Sequence, residues 1–222
     1  MDRVQCSKAE LLEGLKLIDA IQLNDNLWTM IDSDFRMRLV SLICNVISGN
    51  SFSWNSAPKN EVIKQISDIE SELIVGQVFD QYFDHTNGAV KRDKMCRFYG
   101  EYLLQSSSVF NLQEFLSIWQ ESLPIVDNEG EEPFKVNVGQ LEGLALVDQD
   151  QIRYFPEANL PIVIQERLKV LFNTKEKWTL EEITPFVIKM TTPKLNVKAL
   201  LTKYARGSRV NGEQVFCSKH NN

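Results

Sequence analysis

Four clusters of polar, turn-forming residues recur along the chain about 62 residues apart. They are Asn24-Asp25-Asn26, Asn87-Gly88, Asp148-Gln149-Asp150 and Asn211-Gly212. Two of the four contain Asn-Gly, the dipeptide with the strongest preference for a two-residue β-hairpin turn. A fixed period of this length indicates a chain built from repeated small units, because a single large core has no reason to repeat its turns.

Each turn cluster lies between an apolar stripe at helical spacing and a short β-like run. The predicted helices before the turns contain residues 11–21, 69–83, 141–147 and 197–204. The predicted strands after the turns contain residues 27–31, 89–90, 152–155 and 214–217. The same helix-turn-strand order is therefore predicted four times.

Two further helices fit between each pair of successive turns. They cover residues 35–47 and 58–66, 95–105 and 112–123, and 163–172 and 180–190. Helix starts are marked by capping boxes, Ser7 with Glu10 and Thr179 with Glu182, and by the similar pair Asn111 and Glu114. Three helices followed by a hairpin are typical of the winged helix, a helix-turn-helix with a β wing. The predicted fold class is mainly α with short β-hairpins, arranged as tandem winged-helix units.

The period also predicts where the units begin and end. A remnant of a first winged helix covers residues 1–32, and whole units cover 33–92, 93–156 and 157–222. The third unit contains an acidic loop at 127–133, which we expect to be mobile. A helical-repeat scaffold with accidentally spaced turns is the alternative interpretation.

Charge is distributed unevenly along the chain. The net charge is −6, which argues against a general nucleic-acid binder. From Phe186 onward, however, seven basic residues face only Glu213, so this segment carries +6 and the preceding residues −12. The candidate DNA-binding residues are therefore in the terminal unit: Lys194, Lys198, Lys203, Tyr204, Arg206, Arg209 and Lys219. The competing interpretation is that these charges solvate a terminal helix and complement its dipole.

Catalytic and metal chemistry are not expected. The four cysteines are dispersed, and neither His85 nor His220 has a partner at metal-ligand spacing. The phosphate-binding Gly-x-x-x-x-Gly-Lys-Ser/Thr loop is missing from the sequence, as is any apolar run long enough to span a membrane. We predict a soluble intracellular protein that is not an enzyme and has no cofactor.

From Phe110 onward, several short sequence motifs occur in the same order as in the members of a known family. They include Glu114-Phe115, Trp119 to Pro124, Gln140 to Asp148, Asn159-Leu160-Pro161, Gln165 to Leu168, Lys175 to Ile183 and Ala199 to Arg206. In these motifs the chain resembles the C-terminal region of the DCC (defective in sister chromatid cohesion) family.

The resemblance implies a function. Members of this family are non-catalytic subunits of an alternative, cohesion-specific replication factor C clamp loader. That loader acts on the PCNA clamp in the nucleus, during DNA replication and sister chromatid cohesion. The family's winged helices bind single- and double-stranded DNA irrespective of sequence.

The resemblance also implies partners. An N-terminal β-rich region of the family contacts the other cohesion-specific loader subunits and the leading-strand polymerase. The present chain is expected to begin after that region. A winged-helix scaffold that docks proteins without touching DNA is the alternative function.

Overall fold

The computed structural model describes residues 6–210 and 212–219, and the chain is mainly α-helical with short antiparallel strands. The helices are α1 (Lys8–Leu17), α2 (Ser33–Gly49), α3 (Lys59–Ile66), α4 (Glu72–Tyr82), α5 (Arg92–Leu104), α6 (Leu112–Ser122), α7 (Ile164–Thr174), α8 (Leu180–Val187) and α9 (Val197–Tyr204). The strands are β1 (Ile21–Asn24), β2 (Leu27–Thr29), β3 (Phe110–Asn111), β4 (Ala145–Asp148), β5 (Gln151–Tyr154), β6 (Trp178–Thr179), β7 (Arg206–Val210) and β8 (Glu213–Cys217). Short 3-10 helices lie at Val138–Leu141, Glu157–Asn159 and Ile188–Met190.

The chain forms two compact units that are interleaved in sequence. Unit 1 contains Met1–Ser106 and Gln113–Gln140, and unit 2 contains Ser107–Leu112 and Leu141–Asn222. The chain therefore enters unit 2 for six residues, returns to unit 1, and then completes unit 2.

Unit 1 is built on the helices α2, α3 and α4. Their apolar faces bury Leu39, Ile43, Val62 and Phe79 almost completely. The β1–β2 hairpin is held to α4 by Gln77, whose side chain behaves like a neighbouring strand. Its Oε1 accepts from the Gln22 backbone N–H at 2.7 Å, and its Nε2 donates to the Gln22 carbonyl at 2.8 Å.

The acidic loop of unit 1 is fixed at two points. The Glu131 carboxylate accepts hydrogen bonds from the Ser53 hydroxyl at 2.5 Å and from the Trp54 backbone N–H at 3.0 Å. Asn128 Nδ2 donates to the Phe52 carbonyl at 3.0 Å. The loop, predicted to be mobile, is thus bonded to a distant segment of its own unit.

Unit 2 contains two three-stranded sheets with the same connectivity. Their strand orders are β3-β5-β4 and β6-β8-β7, so in each sheet the first strand pairs with the last. The second sheet packs with α7, α8 and α9 around Trp178, Leu171, Leu201 and Phe216, all fully buried. The indole Nε1 of Trp178 donates to the backbone carbonyls of Leu171 and Lys175, which satisfies the buried polar atom.

Most of the predicted elements are confirmed. The hairpins around Asn24-Asp25-Asn26 and Asp148-Gln149-Asp150 form as β1–β2 and β4–β5, and α9 covers the predicted terminal helix. Both capping boxes are present, with reciprocal hydrogen bonds between Ser7 and Glu10 and between Thr179 and Glu182. The strands β7 and β8 flank the fourth turn, but Asn211 itself is outside the described residues.

Two predicted elements are wrong, and one helix is shorter than predicted. Residues 141–147 do not form a helix, because Gly143 adopts a left-handed φ of +74° and the chain then enters β4. The first predicted helix stops at Leu17, and Ile21 lies in β1. After Asn87-Gly88, a single bridge between Phe83 and Val90 replaces the predicted strand.

Candidate nucleic-acid interface

Helix α9 presents a narrow face of small residues between two lysines. Val197, Leu200 and Leu201 are buried in the core of unit 2, while the intervening positions are exposed. The exposed positions are Lys198, Ala199, Thr202 and Lys203. At about 100° per residue the two lysines are about 140° apart around the helix axis, with Ala199 and Thr202 between them. Small side chains there allow the helix backbone to come close to another surface.

The helix begins at a defined point beside Lys194. The Asn196 side chain caps α9 by accepting from the Ala199 backbone N–H at 2.9 Å. Before the cap, Thr192 and Leu195 exchange backbone hydrogen bonds and form a tight turn. Lys194 is exposed within this turn, at the N-terminal side of the helix.

At the C-terminal end of α9, three of the predicted residues lie together. The Lys203 Nζ lies over the half-buried Tyr204 ring, 5.0 Å from its centre. The Lys219 Nζ donates to the Lys203 backbone carbonyl at 2.6 Å. Lys219 therefore caps the negative end of the helix. For this one side chain, the structure agrees with the competing interpretation that the basic residues complement the helix dipole.

The two arginines of the hairpin point in opposite directions. Arg206 pairs with Cys217 and Arg209 with Gln214 across the β7–β8 ladder, and all five residues of β7 are exposed. Because side chains alternate along a strand, positions 206 and 209 project from different faces of the sheet. The structure thus brings Lys198, Lys203 and Lys219 around α9 but does not gather both arginines on one surface.

The basic residues of this region are electrostatically uncompensated. Within the described part of the chain, none of the six candidate lysines and arginines forms an ion pair with a carboxylate. Lys189 differs, because its ammonium group lies 2.6 Å from the Glu157 carboxylate. Apart from Lys219, which caps α9, five positive charges on the helix, its flanking turn and the hairpin therefore remain available to an anionic partner.

Some features of this surface were missed from sequence. The opposite orientation of Arg206 and Arg209 follows from period-two alternation along a strand. It could therefore have been predicted by assigning a strand to this segment. The contact between Lys219 and the Lys203 carbonyl joins residues 16 apart and has no local signal.

The described residues contain neither a cluster of metal ligands nor a membrane-spanning helix. No group of three or more His, Cys, Asp and Glu side chains is placed to hold a metal ion there. Of the two histidines, His85 is exposed and His220 is outside the described residues. None of the described helices is long and apolar enough to cross a membrane.

Comparison with known proteins then decides the family. Residues 1–187 match the family model described as sister chromatid cohesion protein Dcc1. The chain belongs to the Dcc1 family. The match includes the region before Phe110, where the resemblance is weaker and depends on Trp28 and on residues 51–54 and 103–105.

Relatives agree over nearly the full chain. The sister chromatid cohesion protein DCC1 of Xenopus tropicalis is 33% identical over 99% of this chain, and the human protein is 31% identical over 99%. The Saccharomyces cerevisiae protein is 25% identical over 68% of the chain. The matched region is 57%, 56% and 40% of those three proteins respectively, so this chain spans about half the length of its animal relatives.

Proposed function

We propose that this Dcc1-family chain acts in sister chromatid cohesion as the DNA-binding part of a non-catalytic subunit of a cohesion-specific clamp loader. The whole protein would work on the PCNA clamp in the nucleus, with the other loader subunits and the leading-strand polymerase as partners. The names of the relatives support the role in cohesion. The DNA-binding role rests on the geometry of unit 2.

The connectivity of unit 2 supports a winged helix at its C-terminal end. The elements follow the order α7, β6, α8, α9, β7 and β8, and β8 lies between the other two strands. This is the order of a helix-turn-helix followed by a wing, with α9 as the recognition helix. Along the chain, α5, β3, α6, β4 and β5 follow the same order, with a 3-10 helix in the place of the recognition helix, although these helices belong to unit 1 and the strands to unit 2. We propose that winged-helix repeats cover residues 33–92, 93–156 and 157–222, after a remnant of a first one at 1–32.

The uncompensated positive charge on α9 and the hairpin is the observation that carries the DNA-binding proposal. Phosphates bind Lys and Arg by releasing condensed counterions, and this term is independent of sequence. The centre of the exposed face holds Ala199 and Thr202 rather than Asn, Gln or Arg, so base-specific hydrogen bonds are not expected. The surface fits sequence-independent binding to single- and double-stranded DNA.

Replacing Lys198, Lys203 and Arg206 together by Ala tests the proposal. If about five basic groups each neutralise one phosphate, log affinity for duplex DNA falls against log salt with a slope of about −4 to −5. The triple variant should weaken binding to all sequences alike and flatten that slope by up to about 3. Fluorescence anisotropy of a labelled duplex, titrated at several salt concentrations, measures both quantities.

A matched control separates local charge from net charge. Lys8, Lys16 and Lys135 are exposed residues of unit 1, and replacing them by Ala removes the same number of positive charges. This variant should bind DNA with the affinity and salt slope of the unmodified chain. Equal losses in both variants would contradict the assignment of binding to α9 and the hairpin.

Protein docking is the second candidate, favoured locally by helix α4 of unit 1. Helix α4 is the recognition helix of the winged-helix repeat proposed at residues 33–92. It carries Glu72 and Asp80 and no basic residue. An acidic recognition helix is repelled by phosphate, so this unit is better suited to a protein surface. If the unmodified chain does not bind DNA in the anisotropy assay, docking becomes the better explanation for the whole array.

A further inference from the structure

We propose that Ser208 is a phosphorylation site for a basophilic serine/threonine kinase, and that a phosphate there weakens the hold of unit 2 on DNA. The second half of this inference rests on the proposed function, whereas the first half does not.

The Ser208 hydroxyl is available for reaction. The residue is exposed in the middle of β7, and its side chain makes no hydrogen bond to any residue that the structure describes. By contrast, the hydroxyls of Thr191 and Thr202 donate to the backbone carbonyls of Ile188 and Lys198, at 2.7 and 2.8 Å. Those two threonines are also fixed in or beside helices, a conformation that does not suit a kinase cleft.

The strand that carries Ser208 already has the shape of a bound substrate. Kinases hold their target segment extended, and β7 is an extended strand at the edge of its sheet, paired only with β8. All five of its residues are exposed. A kinase can therefore approach its open edge without first unfolding a core.

The charges around Ser208 match an acidic kinase cleft. Arg206 lies two residues before the serine and Arg209 one residue after it, and neither forms an ion pair with a described residue. Alternation along β7 puts Arg206 on the same face as the serine and Arg209 on the opposite face. Such a pattern attracts a cleft lined with carboxylates.

The modification reverses the charge of the hairpin. The Ser208 oxygen attacks the γ-phosphorus of Mg-ATP, the bond to the β,γ-bridging oxygen breaks, ADP leaves, and the hydroxyl proton passes to a carboxylate of the kinase. The product carries a charge of about −1.5 to −2 at pH 7. Arg206 lies on the same face two residues away, so the phosphate can pair with it and remove it from DNA.

The first test measures modification alone. The full chain is incubated with Mg-ATP and the catalytic subunit of cAMP-dependent kinase, and phosphate is located by peptide mass spectrometry. Incorporation near one phosphate per chain at position 208 is expected, with loss in Ser208→Ala and retention in Thr202→Ala. Incorporation elsewhere, or in Ser208→Ala to the same extent, overturns the site.

The second test measures the effect on DNA. Fluorescence anisotropy with a labelled duplex should give an affinity about tenfold lower for the phosphorylated chain. Unphosphorylated Ser208→Ala should bind like the unmodified chain. Phosphorylation at position 208 with unchanged affinity overturns the regulatory step, whereas absence of binding by the unphosphorylated chain overturns the proposed DNA-binding function and leaves the modification result standing.

Discussion

At the scale of single residues, Arg167 has the most demanding environment in unit 2. Its side chain is 4% exposed and donates to the Glu157 carboxylate at 2.5 Å and to the carbonyls of Pro161, Phe186 and Leu160. Arg167→Ala should lower the free energy of unfolding by about 3 to 5 kcal/mol, because it leaves the Glu157 carboxylate buried without its buried partner. Urea denaturation followed by circular dichroism measures this loss. Lys189→Ala is the control, since its side chain is 69% exposed, and it should cost less than about 1 kcal/mol.

Glu157 makes the stability of unit 2 sensitive to acid. Burial alone raises the pKa of this carboxyl, but hydrogen bonds from Lys189 and Arg167 outweigh it and hold the pKa below its ordinary value of 4.5. A lowered pKa in the folded state stabilises the fold at pH values above 4.5 and loses that contribution as the pH falls further. Unfolding free energy measured between pH 6 and pH 3 should therefore decline more steeply for the unmodified chain than for Glu157→Gln. Parallel pH profiles in the two proteins would contradict this role.

At the scale of elements, the exposed face of α9 gives the sharpest prediction. Ala199 is in the centre of that face, between the two lysines, so Ala199→Glu places a carboxylate where the proposed DNA interface would approach phosphates. Affinity for duplex DNA should fall by about fivefold at moderate salt. Gln165→Glu introduces the same charge at an exposed position of α7 and should leave the affinity unchanged. Anisotropy titrations of both variants measure the difference, and equal effects would place the DNA elsewhere.

The same elements explain how much of the fold the sequence could predict. Helix α9 has its apolar residues at helical spacing and an Asn cap, so local signals and tertiary packing agree there. Residues 141–147 also have apolar residues at helical spacing, yet β4 buries Leu146 in the core. Gly143 is compatible with either outcome in sequence, and the pairing with β5 decides between them.

The candidate site was predictable to a similar degree. Exposure of Lys198 and Lys203 follows from the helical pattern alone. The Lys219 contact depends on how the chain returns after β8, which local sequence does not encode. The hydrogen bonds of Asn128 and Glu131 to residues 52–54 also join distant segments, so local sequence gave no signal for these contacts of the acidic loop.

At the scale of the whole molecule, charge polarity should dominate behaviour toward polyanions. The net charge is −6, yet the segment from Phe186 carries +6, so retention on a heparin column at pH 7.5 should depend on that segment. The variant lacking Lys198, Lys203 and Arg206 should elute at a much lower salt concentration. The variant lacking Lys8, Lys16 and Lys135 has the same net charge as that first variant, yet it should elute at the salt concentration of the unmodified chain. Elution that tracks net charge alone would contradict the polarity.

The interleaving of the two units has a consequence for synthesis on the ribosome. Strand β3 belongs to unit 2, but its partner β5 is about 40 residues further along the chain, and the residues between them include 113–140 of unit 1. At a translation rate of about 5 to 20 residues per second, roughly 2 to 8 s pass between the addition of Phe110 and that of Ile152. During that interval β3 has no β5 strand to pair with, and the last residues of unit 1 are still being added. The first sheet of unit 2 therefore forms only after the whole of unit 1 has been synthesised, although its first strand is made earlier.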